Sequence, residues 1–551
     1  MSDFVAFDDA LQACSDDIAG TPKRGDLDMP NASTAVHDGT PAPSHSAAAV
    51  QVEAPCGRLL GLHTGAVNVF RGIPYAQPPV GPLRWAPPER LAPWAGVRDA
   101  LTAGACAPQN PSLIDRLLPG QIGRQAEDCL CLDLWAPCGP GRRPVMVWIL
   151  GGAFMIGAGN SPVYDGSRLA ARGDVVVVAI NYRLGSLGFL NLRDATDGAV
   201  AATGNEGLMD QIAALEWVRD NIASFGGDPG NVTVFGESAG ALSIGCLLAM
   251  PRARGLFHKA ILQSGAAHVG YPREKSARVG RAMLDIMGIA PDRAAQVAES
   301  PVEAIMAAQL QLMAENREQG DPRKLGTMPY GPVLDDGWLP ERPIEAIRAG
   351  AGSNVATMVG TMRDEYRLFS VGDARLRALD EAALQAVVHA TCGAASAQAL
   401  LQAYADGSPF DRVSAVMGER LFGLPALLLA QARADSAPAY VFRIDHVSPL
   451  LDGIFGACHF LDAGLVFGTH DQAPFFGPGP DADKVSADLM TAWTRFARSG
   501  DPSIDTAAPW PTYGEARATM VFGGGPTRVL HLAEAARYTA WQGLGDALGF
   551  T

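Results

Sequence analysis

The chain has 551 residues, 48% hydrophobic and 18% charged, a globular balance with enough apolar material for a large core. A net charge of −15 argues against nucleic-acid and anionic-membrane partners. No apolar run approaches the ~20 residues that span a bilayer, and nine cysteines, an odd number, give no disulfide framework by count.

The N-terminal run MSDFVAFDDALQACSDD is acidic and lacks a basic segment followed by an apolar one, so it does not read as a signal peptide. A cytoplasmic location with free, mostly buried thiols is the expectation. Residues 1–50 are rich in Asp, Ala, Ser, Pro and Thr and read as a flexible extension; residues 51–551 have the composition of a packed domain. Short apolar runs follow at 145–150 (VMVWIL), 175–180 (VVVVAI), 232–235, 260–262, 355–359 (VATMV) and 440–444 (YVFRI). The first two are continuous enough to be strands covered on both faces. Between runs lie helical patterns, the clearest being Leu208, Ile212, Leu215, Val218, Ile222 and Phe225, spaced by three or four. Strands alternating with helices predict an α/β fold with a large, mostly parallel sheet and helices on both faces. Helical regions at about 274–320 and 373–436 are too long for simple crossovers and are expected to form a cap.

The segment NVTVFGESAGALS (231–243) turns a β-rich run into a helical one at Ser238, which stands between Gly236 and Gly240. With 62 glycines, a G-x-S-x-G arises by chance roughly 0.3 times in a chain this long. The strand-to-helix context makes it a nucleophile elbow, which holds a serine hydroxyl clear of the backbone. A serine needs a base, a group to orient that base, and donors for the developing oxyanion. Gly151 and Gly152 follow VMVWIL directly and suit the donor role with the Ala239 N–H. The acid should follow the strand VATMV, where Asp364 and Glu365 stand side by side; spacing does not choose between them. The histidines after that acid are His389, His446, His459, His470 and His531. His389 falls inside a helical pattern and His531 lacks a site-like setting. His446 and His459 remain, with His459, in GACHFLDAGLVFG, the better placed.

These motifs resemble those of the type-B carboxylesterases, which include cholinesterases and bacterial p-nitrobenzyl esterases. The resemblance runs from about Gly57 to Tyr513 through FRGIPYAQPPVGPLRW, EDCLCLDLW, NYRLGSLGF, FGGDPGNVTVFGESAG, FHKAILQSG and WTRFARSGDP in order. It implies an α/β-hydrolase fold and hydrolysis of carboxylic esters through an acyl-enzyme. Ser238 would be the nucleophile, Glu365 the acid, His459 the base with Asp462 following it, and Gly151, Gly152 and Ala239 the oxyanion donors. A small ester is the expected partner, without metal or organic cofactor; the oligomeric state stays open. Tyr366 replaces the family's usual glycine, and Leu150 its usual histidine. Cys106 and Cys129 match the family's first disulfide pair. A lipase acting on long-chain esters and an inactive binding protein of the same fold are the alternatives. The segment SLIDRLLPGQIGRQA lacks the tryptophan on which cholinesterases hold a quaternary ammonium.

Overall fold

The computed structural model describes residues 48–541, apart from 319–322, 324, 327, 506–507, 515–516 and 532–534. Most of the expected N-terminal extension therefore lies outside the described residues. Among the described residues, thirteen strands form one sheet. They are β1 Ala48–Ala54, β2 Gly57–His63, β3 Val67–Pro74, β4 Val97–Asp99, β5 Cys131–Pro137, β6 Arg143–Ile149 and β7 Val176–Ile180. The rest are β8 Gly227–Glu237, β9 Lys259–Gln263, β10 Ala356–Met362, β11 Ala439–Ile444, β12 Ala518–Phe522 and β13 Arg528–His531. Their order is β1-β2-β3-β5-β7-β6-β8-β9-β10-β11-β12-β13, with β4 beside β2. From β7 to β12 every neighbouring pair is parallel, while the outer pairs are antiparallel except β2 with β4, which is parallel.

Each apolar run of the sequence falls within or across one of these parallel strands. The antiparallel outer strands carried a weaker signal. β1, AAVQVEA, half-buries Val50 and Val52 and buries only Ala54, so its apolar content is diluted by solvent-facing positions. β6 and β7 are buried at every residue, because helices cover both faces.

The helix Glu206–Asn221 turns Leu208, Ile212, Leu215 and Val218 into the core. It also carries Asp210, which takes the guanidinium of Arg183 at 2.7 and 2.8 Å with both side chains buried. This bidentate pair fastens the loop after β7 to the helix. On the sheet, Trp148, Phe235 and Phe467 pack ring to ring, with Trp148 4.9 Å from Phe235 and 5.1 Å from Phe467.

Both long helical regions expected from the sequence contain helices, including Arg273–Ile286 and Val302–Glu318 in the first. In the second, one continuous helical stretch runs from Pro409 to Arg433, with a π-helical turn at Glu419–Gly423. This stretch is long and apolar enough to cross a membrane, which reading for unbroken apolar runs did not reveal, because Arg412, Glu419 and Arg420 interrupt it. Of its most apolar window 56% is buried inside the protein, as expected of a core helix.

Candidate active site

In a parallel sheet the loops that leave the carboxyl ends of the strands converge on one edge. Gly151 and Gly152 lie just after β6, Ser238 directly follows β8, Glu365 follows β10, and His459 lies in the loop after β11. The sequence expectation scattered these residues over more than three hundred positions, and the sheet brings them together.

Ser238 joins β8 to the helix Ala239–Ala249 with φ 53° and ψ −121°. This strained conformation suits few side chains and is held by the elbow around it. The Ser238 N–H donates to Gln263 O at 2.8 Å, and Leu242 N donates back to Ser238 O at 2.9 Å. Gly240 is required for space: a Cβ there would run into the carbonyl oxygen of Ile149 and stand 2.9 Å from that of Leu150. The Ser238 hydroxyl faces a cavity of about 440 Å³ and has no hydrogen-bond partner among the described residues.

Glu365 and His459 are both almost fully buried. His459 Nδ1 lies 2.6 Å from Glu365 Oε2. The other carboxylate oxygen accepts from Ser264 Oγ at 2.6 Å and from Met362 N at 2.8 Å. Three bonds thus fix one carboxylate, which fixes the imidazole. Neighbouring Asp364 turns away: it pairs with Arg363 at 2.8 Å and accepts from Ala457 N at 2.8 Å, holding the loop that carries His459. His446 is remote in role as well, with Nε2 2.9 Å from Phe476 O. His389 sits on the exposed side of the helix Glu381–Cys392, His470 pairs with Asp483 at 2.9 Å, and His531 ends β13.

Sequence reasoning missed Glu237. This buried residue, directly before the serine, places Oε1 3.0 Å from His459 Nε2. In a G-x-S-x-G pattern it occupies a position free to vary, so only its acidity in a buried strand could have pointed to it. His459 therefore stands between two carboxylates. Burial disfavours its charged form, but Glu237 and Glu365 outweigh burial and raise its pKa well above the ordinary 6.5. Behind them, burial and the charge of Glu237 push the Asp462 carboxyl up to about 7. Asp462 accepts from Gln263 Nε2 at 2.7 Å, and Trp493 Nε1 donates to Gln263 Oε1 at 2.9 Å.

Gly151, Gly152 and Ala239 line the cavity beside Ser238. Ala239 opens its helix, so its N–H has no intrahelical acceptor. Gly152, at φ +99°, bends the loop so that its carbonyl accepts from Met155 N at 2.9 Å and Ile156 N at 3.0 Å. Gln109 clamps the same loop at Gly157, accepting from its N–H at 2.7 Å and donating to its carbonyl at 2.9 Å. Leu150, in the place of a histidine, is buried, packs toward Gly157, and accepts at its carbonyl from Tyr182 Oη at 2.8 Å. The loop is thus braced by main chain and apolar packing. Cys106 and Cys129 are both buried free thiols, so the disulfide that the family resemblance raised is not formed.

The sequence profile of the carboxylesterase family matches residues 48–541. A para-nitrobenzyl esterase of Bacillus subtilis (strain 168) is 40% identical over 472 residues, covering 84% of this chain and 93% of the relative. A phenmedipham hydrolase of Pseudarthrobacter oxydans is 36% identical, covering 83% of this chain and 91% of the relative. The crystal structure of a Geobacillus stearothermophilus carboxylesterase superposes with a TM-score of 0.79 at 37% identity, covering 89% of this chain and 100% of the other.

Proposed function

The chain belongs to the carboxylesterase family and hydrolyses carboxylic esters; from that premise we propose that Ser238, Glu365 and His459 carry the reaction, with Gly151, Gly152 and Ala239 as the oxyanion donors. The observation that supports this best is the 2.6 Å contact of His459 Nδ1 with Glu365 at the wall of the cavity into which Ser238 projects. His459 takes the Ser238 proton as Oγ attacks the ester carbonyl, and Glu365 stabilises the imidazolium. The three N–H groups receive the negative charge on the carbonyl oxygen, each worth ~10²–10³ in kcat. The tetrahedral intermediate collapses, His459 protonates the departing alkoxide, and the acyl group stays on Ser238. Water, deprotonated by the same imidazole, then releases the acid.

In the resting geometry Nε2 faces Glu237 rather than Ser238. Binding of substrate brings the imidazole over to the hydroxyl, a tightening common in serine hydrolases whose free forms have loose catalytic hydrogen bonds. A cavity of about 440 Å³ lies within the range of small-molecule sites and favours small esters over the long acyl chains of a lipase. The name of the Bacillus relative carries an aromatic alcohol, and we extend that substrate class, small esters with an aromatic part, to this chain. Eight described cysteines, all free, support a cytoplasmic setting.

Ser238→Ala is expected to lose up to ~10⁶ in kcat on p-nitrophenyl acetate while keeping its melting temperature. His459→Ala should lose far more activity than His446→Ala. Near-normal turnover by Ser238→Ala, or a dead His446→Ala beside an active His459→Ala, would refute the assignment.

A further inference from the structure

The two sides of the cavity are chemically unlike, and the reaction direction says which part of the substrate meets which side. This step rests on the assignment of Ser238 and His459 above. The oxyanion donors fix the carbonyl oxygen, and His459 must reach the oxygen of the leaving alcohol. Side chains packed around the imidazole therefore stand against the alcohol portion of the ester.

Those side chains are aromatic. The Phe369 ring lies 5.1 Å from the His459 ring and the Phe422 ring 4.7 Å from it. The two phenyl rings are nearly parallel, 9° apart in plane with centroids 6.1 Å apart. Phe369 is 51% exposed, large for a phenylalanine lining a cavity, so its face has room for another ring. Tyr366, where the family usually has glycine, extends this wall, its ring 5.9 Å from Phe369.

The π-helical turn Glu419–Gly423 supplies the rest. Met417, Arg420 and Leu421 share one helix face by their spacing of three and four, and all three line the cavity. Phe422 would point away from that face in a regular helix, but the wider turn swings it back, and it lines the cavity too. Arg420 is half-buried here. It has no ion pair and no hydrogen bond among the described residues, whereas nearby Arg412 pairs with Glu381 and Arg367 with Asp411. Among the described residues, the other ionisable groups facing the cavity, the tyrosine phenols aside, are Asp115, Glu237 and His459. Asp115 is occupied by Ser112, accepting from its N–H at 2.7 Å and its hydroxyl at 3.0 Å. Glu237 faces the imidazole, its Oε1 3.0 Å from His459 Nε2. A guanidinium with no counter-ion among the described residues, on the wall of a mostly apolar cavity, is an open anchor for a carboxylate.

We propose that Arg420 and the Phe369–Phe422 pair form an alcohol-side subsite for aromatic alcohols that carry a carboxylate. The ring lies against Phe369, and the carboxylate reaches the guanidinium.

The test compares benzyl acetate with 4-carboxybenzyl acetate in the wild type, Arg420→Met and Arg420→Lys. The wild type should favour the carboxylated ester by about tenfold in kcat/KM, mainly through a lower KM, the scale of one charged hydrogen-bonded contact. That ratio should collapse to near one or below in Arg420→Met and be partly retained in Arg420→Lys. A wild type that shows no preference, or an Arg420→Met that keeps the full ratio, overturns the subsite. The ratio is internal to each variant, so a general loss of folded enzyme does not imitate the result. Ser238→Ala separates the two claims: if it still hydrolyses benzyl acetate, the assignment of the nucleophile fails. If it is inactive while the ratio ignores Arg420, the subsite alone fails.

Discussion

His459 meets a carboxylate at each nitrogen, Glu365 at Nδ1 and Glu237 at Nε2. Only the Nε2 side is open to the serine in the reaction, so Glu237 competes with Ser238 for the same atom. The two carboxylates together raise the imidazole pKa well above 6.5 in spite of burial. A general base works only when neutral. The acid limb of kcat/KM is therefore expected above pH 6.5, with activity lost as pH falls through the raised pKa. Glu237→Gln removes one negative charge and keeps the side chain's shape. Less negative charge means a lower imidazole pKa, so the acid limb should move to lower pH; a limb that stays put or moves upward would contradict this account. Order and strand-end placement pointed to Ser238, to the Asp364–Glu365 pair and to His459 ahead of His446, because such a sheet gathers its strand-end loops at one edge. Between Asp364 and Glu365 the residues alone left the choice open, and the geometry separates them by what each carboxylate touches. Glu237 and Ser264 were not legible: one fills a variable motif position, and the other acts through a single hydroxyl at a strand end, which leaves no pattern in the chain.

The elbow between β8 and the helix Ala239–Ala249 shows how little freedom an element has when it carries a reacting atom. Its helix starts against the end of β6, close enough that Gly240 faces the carbonyl oxygens of Ile149 and Leu150. Gly240→Ala puts a methyl group where main chain already stands. The helix must move away from β6, and with it the Ala239 N–H and the Ser238 hydroxyl. This variant is expected to lose about 1–3 kcal/mol of stability from overpacking and at least tenfold in kcat from the displaced donor. Urea unfolding and p-nitrophenyl acetate kinetics check both, and a variant of wild-type stability and rate would show that the contact is not limiting. At this scale the sequence was informative where strands are buried on both faces and silent where they alternate, as in β1. The π-helical turn at Glu419–Gly423 was also hidden. Its residues read as ordinary helix, and the extra width shows only in the folded backbone.

Across the whole molecule, one long sheet gathers distant loops at a single edge. Seven consecutive parallel strands, β7 to β12 in spatial order, end there, and the candidate residues come from the ends of β6, β8, β10 and the loop after β11. The helices from Arg273 to Glu318 and from Ala374 to Arg433 are inserted on either side of β10, and the second contributes the π-helical turn to the cavity wall. The alternating strands and helices of the sequence were enough to anticipate this arrangement, because a parallel sheet needs crossovers. How the inserted helices pack was not, since it depends on contacts far apart in the chain. The central claim is that the acyl group of an ester passes through Ser238. Quenching the enzyme in acid during turnover of p-nitrophenyl acetate, then mapping peptides by mass spectrometry, tests it most directly. The account predicts an acetyl group on the peptide carrying Ser238, at that residue, and none there in Ser238→Ala. Acetylation confined to another residue, with turnover surviving in Ser238→Ala, would contradict it.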